Sequence, residues 1–207
     1  MNENIILPVV LAGGKSIRFG KDKSIVKLGS KTLLEHTIAK LEKKFLEVLV
    51  VSNNEKLNLN KNNAHVIKDC IEGQLGPLVG VLSAMKWIDE NNKNYKWVAT
   101  FPCDTPFFDI KIISEFKSCS KLTKKLLHFI NSNNKRHNIF GLWSTKLCGI
   151  LETDIINNNY RKVEKWADKI GVNSIEIKNE KFDKFLNINT EKEYEIAKKN
   201  LNKLKDD

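Results

Sequence analysis

The chain has 207 residues and carries a net charge of +10, and 41% of its residues are hydrophobic. This length and composition suit one α/β domain of ordinary core size, with no repeat and no low-complexity linker. The charge allows nucleic acid, acidic lipid or an anionic small substrate as ligand, but no basic run is interleaved with aromatic residues as a nucleic-acid stacking platform would require. Four widely spaced cysteines without a C-x-x-C pair favour reduced thiols over a zinc site.

The chain opens with a short apolar stretch, residues 5–10. The stretch is far shorter than the roughly 20 residues of a membrane span, and no signal-peptide cleavage site follows it. We therefore expect a cytoplasmic protein that binds neither membrane nor nucleic acid. Pro8 cannot donate a hydrogen bond to a strand ladder, so we predict that the first strand covers residues 9–11.

A glycine-rich, basic loop follows this strand, where residues 11–23 read LAGGKSIRFGKDK. Glycines let backbone N–H groups approach phosphate oxygens closely, and Arg18 and Lys23 can neutralise the charge that those oxygens carry. The loop is not a P-loop, because Val9 stands where that motif has its first glycine, and its glycine spacing differs from the dinucleotide fingerprint. The pattern favours a triphosphate-binding loop, with a glycine-rich turn carrying solvated lysines as the alternative.

Apolar runs alternate with segments of helical period through the first half of the chain. Strands are predicted over residues 9–11, 48–51, 65–67 and 97–101. Thr32 and Glu35 form a capping box at the start of a helix, and Gly76-Pro77 opens a second one. Strand–helix alternation predicts a mainly parallel sheet between two layers of helices, a three-layer, Rossmann-like α/β/α fold.

The second half continues this alternation less regularly. Helices are predicted over residues 110–116, 145–156, 160–170 and 190–203, and strands over residues 126–130, 139–143, 172–177 and 185–188. Residues 131–138 are interpreted as the turn of a hairpin. We expect a single domain over residues 1–207, with a nucleotide-binding half of about 1–108 and an acceptor-binding half of about 109–207.

Polar residues and glycine follow the predicted strands of the first half. Gly13 follows the first strand, Ser52 and Asn53 the second, Asp69 the third and Asp104 the fourth. Ligands of open parallel sheets bind beyond the carboxyl ends of the strands, so these residues are predicted to share one rim.

Asp104 is the candidate metal ligand, on a turn that Pro102 and Pro106 restrict. A triphosphate bound at this rim carries negative charge that must be neutralised. Mg²⁺ suits this task because it is held by one or two carboxylates together with substrate phosphates. The alternative is a turn aspartate that binds its own backbone.

Five ordered motifs carry a resemblance to a known family. The loop reads L-A-G-G-x-S-x-R-x-G-x-D-K, and VIKD (66–69), GPLVG (76–80), FPCDTP (101–106) and NINT (187–190) follow it. Over its whole length the chain resembles the molybdenum cofactor guanylyltransferases, the MobA family. The resemblance implies a fold of the nucleotide-diphospho-sugar transferase type. It also implies Mg²⁺-dependent transfer of GMP from GTP to the terminal phosphate of molybdopterin or Mo-molybdopterin, with release of pyrophosphate and formation of molybdopterin guanine dinucleotide.

The resemblance also implies residue roles on the nucleotide side. The implied GTP-binding residues are Leu11, Ala12, Gly13, Lys23, Ser52, Asn53, Asp69 and Asp104. At the end of the second strand, the family's asparagine aligns with either Ser52 or Asn53. Arg18, Lys23 and Asp104 are the predicted catalytic residues, and Asp104 is the implied Mg²⁺ ligand.

On the acceptor side, Arg136 and His137 resemble part of a stretch that lies on the acceptor side in the family. Asn187 and Asn189 alternate on a predicted strand and therefore point the same way, which suits a polar acceptor. Alternatively, Asn189 caps the last helix. The prolines usual in the family after the histidine and after the N-x-N-T motif are Asn138 and Glu191 here.

Two other functions stay open. A cytidylyltransferase for the same pterin, or a nucleotidyltransferase for a sugar or polyol phosphate, would use the same chemistry. Those relatives more often carry Leu-Ala-Ala-Gly, so by resemblance Gly13 and the Asp22-Lys23 pair favour guanylyl transfer. A non-catalytic nucleotide- or RNA-binding protein is the alternative from another class. The resemblance implies a molybdenum insertase and apo-molybdoenzymes or their chaperones as protein partners. His36, His65 and His128 are interpreted as structural.

Overall fold

The computed structural model describes residues 5–13, 23–57, 59, 63–73, 75–122, 124–178 and 182–204. Its strands are β1 (Ile6–Leu11), β2 (Lys27–Leu28), β3 (Lys31–Thr32), β4 (Val48–Val51), β5 (Ala64–Ile67), β6 (Trp97–Pro102), β7 (Leu127–Ser132), β8 (Lys135–Ser144) and β9 (Asn173–Glu176). Its α-helices are α1 (Leu33–Glu42), α2 (Pro77–Glu90), α3 (Lys111–Leu122), α4 (Cys148–Ile156), α5 (Val163–Ile170) and α6 (Glu191–Lys199). Short 3₁₀ helices cover Lys23–Ile25, Thr145–Leu147 and Leu201–Leu204.

Seven strands form one sheet in the order β5-β4-β1-β6-β8-β7-β9, and β2 and β3 form a separate small hairpin. Neighbouring strands of the sheet are parallel except at β8, which is antiparallel to both β6 and β7. One apolar core packs α1 and α3 against one face, and another packs α2, α4 and α5 against the other. The predicted three-layer, mainly parallel α/β/α fold is confirmed.

The first strand begins earlier than predicted and contains Pro8. Pairing with β6 runs from Ile6 to Leu11, whereas pairing with β4 begins only at Val9. At Pro8 the strand is therefore paired on one side only, which is where a residue without an N–H is tolerated in a sheet.

Both predicted helix starts in the first half are confirmed. The Thr32 hydroxyl accepts the Glu35 N–H at 3.1 Å, and the Glu35 carboxylate accepts the Thr32 N–H at 2.7 Å, which completes the capping box. Gly76 precedes α2 with φ of 93°, a left-handed conformation that favours glycine, and Pro77 occupies the first helical position.

The hairpin between β7 and β8 is confirmed, but its turn is much shorter than residues 131–138. Asn133 and Asn134 form the turn with φ of 51° and 59°, values that match a two-residue type I′ turn. Arg136 and His137 therefore lie on β8 and not in a loop. The polar sequence is compatible with a strand because Ile130, Asn131 and Ser132 on β7 pair with it.

The predicted strand over residues 185–188 is wrong. In this segment the Leu186 N–H donates to Asp183 O and the Ile188 N–H donates to Asp104 O, so these donors serve a turn and a distant loop. Thr190 caps the last helix through a capping box with Glu193, which corrects the alternative that Asn189 is the cap.

Two helices of the second half are shorter than predicted. Helix α5 begins at Val163 and not at residue 160, and α6 ends at Lys199, ahead of the last 3₁₀ helix, and not at residue 203.

All four cysteines are free thiols, as expected. Among the helices of the described ranges, none combines the length and apolar character that crossing a bilayer requires.

Candidate active site

The candidate nucleotide residues of the first half lie at one rim of the sheet. The backbone just before Gly13 and Asn53 still bonds to the neighbouring strand. The Ala12 N–H donates to Val51 O at 2.9 Å, and the Ser52 N–H donates to Ile67 O at 2.9 Å. Leu11 at the end of β1 pairs with Pro102 on β6. Gly13 and Asp104, each two residues further on, therefore leave adjacent parallel strands at the same level. The structure brings the predicted residues of β1, β4, β5 and β6 together.

Asn53 and Asp69 form a reciprocal pair across the ends of β4 and β5. The Asn53 side-chain amide donates to Asp69 Oδ2 at 2.7 Å, and the Asp69 backbone N–H donates to Asn53 Oδ1 at 2.9 Å. Burial raises the pKa of the Asp69 carboxyl, and the bond from Asn53 offsets only part of this effect. Ser52, by contrast, is buried and its hydroxyl accepts the Asn54 N–H, so of the two aligned candidates Asn53 presents its side chain at the rim.

Asp104 lies on the turn that follows β6. Its Oδ1 accepts the Thr105 hydroxyl at 3.1 Å, and its carbonyl oxygen accepts the Ile188 N–H at 2.8 Å. In the described ranges, no group of three or more His, Cys, Asp or Glu side chains forms a protein cage for a metal. A half-buried carboxylate of this kind fits Mg²⁺, which keeps several waters and takes further ligands from substrate phosphates.

The glycine-rich loop is described only at its two ends. Ala12 is buried and Gly13 is exposed, and a Cβ added at Gly13 would meet no atom of the described residues within 4 Å. Lys23 opens the 3₁₀ helix Lys23–Ile25. Its side chain and the whole of Arg18 lie outside the described residues, so the predicted phosphate contacts of these two residues stay predictions.

Arg136 and His137, the first acceptor-side candidates, are not brought together. They are successive residues on β8, so their side chains lie on opposite faces of the sheet. The Arg136 guanidinium pairs with Asp168 Oδ1 at 2.8 Å, whereas the His137 ring stacks on Phe185 with centroids 4.1 Å apart. Burial and the charge of Lys135 lower the pKa of His137 to about 4, so the ring is neutral near pH 7.

Asn187 and Asn189 lie beside residues 103–109, which we call the Asp104 turn. Their side chains bind each other, with Asn189 Nδ2 donating to Asn187 Oδ1 at 2.6 Å. Ile188, between them, is the residue whose N–H donates to Asp104 O. The predicted strand that was to align these two side chains is absent, but the segment still brings them next to the candidate metal ligand.

Two lysines that no sequence pattern indicates hold the Asp104 turn. Lys184 Nζ donates to Asp109 Oδ2 at 2.8 Å, and the buried Lys40 Nζ on α1 donates to Phe108 O at 2.9 Å. The partners are separated by 75 and 68 residues along the chain. No local pattern could have signalled contacts of such separation.

The three histidines interpreted as structural have partners away from the rim. His36 Nε2 donates to Leu28 O at 2.7 Å, and burial lowers the pKa of His36. His65 lies 3.4 Å from Glu47, and the fully buried His128 ring contacts Lys125 O and Asn173.

Comparisons with known proteins agree with this fold. Residues 8–170 match a family described as the MobA-like NTP transferase domain. A molybdenum cofactor guanylyltransferase of Sinorhizobium fredii is 30% identical over 203 residues, which cover 96% of this chain and 93% of that protein. The protein of the same name from Nitrobacter hamburgensis is 27% identical over 183 residues, or 88% of both chains.

Solved structures of other proteins share this fold. The molybdopterin-guanine dinucleotide biosynthesis protein A of Archaeoglobus fulgidus superimposes with a TM-score of 0.75 at 21% identity, covering 95% of this chain and 98% of that one. The 2-C-methyl-D-erythritol 4-phosphate cytidylyltransferase of Francisella tularensis superimposes with a TM-score of 0.68 at 19% identity, covering 93% and 97%. At these identities the likeness establishes the fold alone. The family match over most of the chain establishes more: this protein belongs to the MobA-like NTP transferase family of nucleotidyltransferases.

Proposed function

We propose that the chain is a molybdenum cofactor guanylyltransferase, which transfers GMP from GTP to the terminal phosphate of molybdopterin or Mo-molybdopterin and releases pyrophosphate. The names of its relatives support this reaction. The observation that carries the proposal is that Gly13 and Asp104 leave adjacent strands at one level, with the Asn53–Asp69 pair on the next two strands. This arrangement supports a site in which the segment after Gly13 binds phosphate, Asp104 binds a divalent ion and Asp69 binds the nucleoside.

On the nucleotide side, we propose that the backbone of Leu11, Ala12 and Gly13 holds the GTP phosphates together with Arg18 and Lys23. Among the described residues nothing would contact a Cβ at Gly13, which suits a close approach of phosphate to the backbone. The Asp69 carboxylate, oriented by Asn53, accepts hydrogen bonds from N–H or O–H donors of the nucleoside.

For the metal, we propose that Asp104 holds Mg²⁺ together with the phosphates of the nucleotide. Such an ion, when bound, neutralises charge that develops on the phosphate oxygens during transfer. The protein's own contribution is to fix the carboxylate, and the Ile188 N–H and the Thr105 hydroxyl both restrain the Asp104 turn.

On the acceptor side, we propose Asn187 and Asn189 as the main contacts of the pterin substrate, because their segment is bonded to the Asp104 turn. Arg136 and His137 remain candidates further along the rim, on β8. The single-domain organisation, with a nucleotide half of about 1–108 and an acceptor half of about 109–207, belongs to the same proposal. So do a cytoplasmic location and transfer of the product to a molybdenum insertase or to apo-molybdoenzymes and their chaperones.

The proposal is tested by comparing GTP, CTP and UTP as donors with purified molybdopterin and Mg²⁺. We expect pyrophosphate release and a guanine dinucleotide product with GTP. Release with CTP alone would instead identify a cytidylyltransferase for the same pterin. Nucleotide binding without product from any donor would indicate the non-catalytic alternative, and omission of Mg²⁺ tests the metal requirement.

A further inference from the structure

Two segments that are distant in sequence meet beside the candidate metal ligand. One is the Asp104 turn, residues 103–109, and the other is residues 182–189, which we call the acceptor segment. Contacts of three kinds are seen between the described residues of the two segments. The Ile188 N–H donates to Asp104 O at 2.8 Å, Lys184 Nζ donates to Asp109 Oδ2 at 2.8 Å, and the rings of Phe107 and Phe182 pack edge to face with centroids 5.0 Å apart.

We propose that Lys184 is a positioning residue for guanylyl transfer, because its ion pair with Asp109 holds the acceptor segment, and with it Asn187 and Asn189, at a fixed place relative to Asp104. The proposal rests on the proposed function, in which the acceptor segment binds the pterin and Asp104 holds the metal. Lys184 acts through Asp109, whose carboxylate it contacts.

The ion pair is of the kind that contributes measurably to binding and stability. The side chains of Lys184 and Asp109 are only 24% and 10% exposed, so solvent screens their attraction less than it screens a surface pair. Asp109 uses its other oxygen to accept the Lys111 N–H at the start of α3. Burial alone would raise the pKa of Asp109, but the hydrogen bonds from Lys184 and Lys111 outweigh it and lower the pKa.

The Asp104 turn is also anchored on its other side, independently of Lys184. Lys40, which is 4% exposed and projects from α1, donates to Phe108 O at 2.9 Å. Loss of the Lys184 pair would therefore leave the turn fixed to α1 but would remove one of the contacts that hold the acceptor segment to it. This asymmetry predicts that substitution of Lys184 weakens acceptor binding and spares nucleotide binding.

The test compares Lys184→Met with Lys184→Arg and with a control, Lys86→Met. Lys86 pairs with Glu152 between α2 and α4, and their side chains are 33% and 37% exposed, so the control removes an ion pair elsewhere on the protein. For Lys184→Met we expect the KM for molybdopterin to rise roughly tenfold while the Kd for GTP changes less than about twofold. Arginine should restore most of the acceptor affinity, and the control should leave both constants unchanged.

If Lys184 only stabilised the fold, Lys184→Met would not change acceptor binding separately from nucleotide binding. If the GTP Kd and the molybdopterin KM rise together in Lys184→Met, or if neither changes, the proposal is wrong. Should the methionine variant fail to fold, Asp109→Asn breaks the same ion pair while keeping a side-chain oxygen for the Lys111 N–H, and the same split is expected.

Failure of the proposed function can be recognised separately, since wild-type protein would then transfer no GMP. In that case, hydrogen exchange of the Ile188 amide decides whether Lys184 holds the segment. We expect exchange roughly tenfold faster in Lys184→Met than in Lys86→Met, because a tenfold change corresponds to one charge-assisted hydrogen bond. Equal exchange rates would overturn the positioning role.

Discussion

Asn53 and Asp69 bind each other through two hydrogen bonds of 2.7 and 2.9 Å, one from each partner. The pair joins the ends of β4 and β5 and leaves a half-buried carboxylate with a fixed orientation at the rim. Such preorganisation saves the cost of ordering the side chain when a ligand binds. The pair therefore gives the nucleotide proposal a direct test.

Replacement of Asn53 by alanine should weaken GTP binding. The variant loses the amide that orients Asp69, and a hydrogen bond to a charged group contributes about 1.5–3 kcal/mol, so we expect the Kd for GTP to rise about tenfold or more. Isothermal titration with GTP measures this. Asn91→Ala is the control, since Asn91 is exposed and its side-chain amide donates to Trp87 O within its own helix end. Unchanged affinity in Asn53→Ala would contradict the role of the pair.

Replacement of Asp104 by asparagine should abolish most turnover. The amide keeps the size of the side chain but removes the charge that a divalent ion requires, so we expect the rate of pyrophosphate release to fall by about two orders of magnitude or more. The assay uses saturating GTP and Mg²⁺. Asp89→Asn, at an exposed position near the end of α2, should retain the wild-type rate. Full activity in Asp104→Asn would exclude this carboxylate as the metal ligand.

His137 should make the stability of the protein depend on pH. Its folded pKa of about 4 lies below the ordinary value of 6.5, so the unfolded chain binds more protons between these pH values. The stabilising contribution is therefore complete above about pH 6.5 and is lost as the pH falls towards about 4. Proton NMR titration should give the low pKa. In urea unfolding, the slope of stability against pH in this window should be smaller for His137→Gln, and identical slopes would contradict the prediction.

Gly141 should be a critical position of the core, in contrast to Gly149. A Cβ at Gly141 would lie 2.6 Å from both the Phe129 ring and Trp143 Nε1, whereas a Cβ at Gly149 would meet nothing within 4 Å. We expect Gly141→Ala to lower the free energy of unfolding by about 1–3 kcal/mol. Gly149→Ala, inside α4, should raise it by up to about 1 kcal/mol through helix propensity. Urea unfolding measures the free energy of unfolding of both variants, and equal changes in the two would contradict this prediction.

Much of the fold could be predicted because its signals are local. The first four strands of the main sheet are apolar runs, and the capping box of Thr32 and Glu35 marks the start of α1 without any tertiary information. The family resemblance, also read from short motifs, is confirmed by the match over residues 8–170.

The errors occur where tertiary contacts override local pattern. The polar start of β8 looks like a turn, yet it pairs with β7, and the alternating residues 185–188 look like a strand, yet Ile188 bonds to Asp104. In the candidate site, the shared rim follows from strand order, whereas the Lys184–Asp109 pair joins residues 75 positions apart and leaves no trace in the sequence. The roles of the site residues stay predictions.

We propose that Gly13 after β1 and the Asp104 carboxylate after β6 meet across one nucleotide triphosphate and its ion. A crystal structure with a non-hydrolysable GTP analogue and Mg²⁺ tests it most directly. We predict a triphosphate within hydrogen-bonding distance of the Gly13 backbone and an ion bound to the Asp104 carboxylate. A nucleotide bound elsewhere, or an ion held without Asp104, would contradict the account.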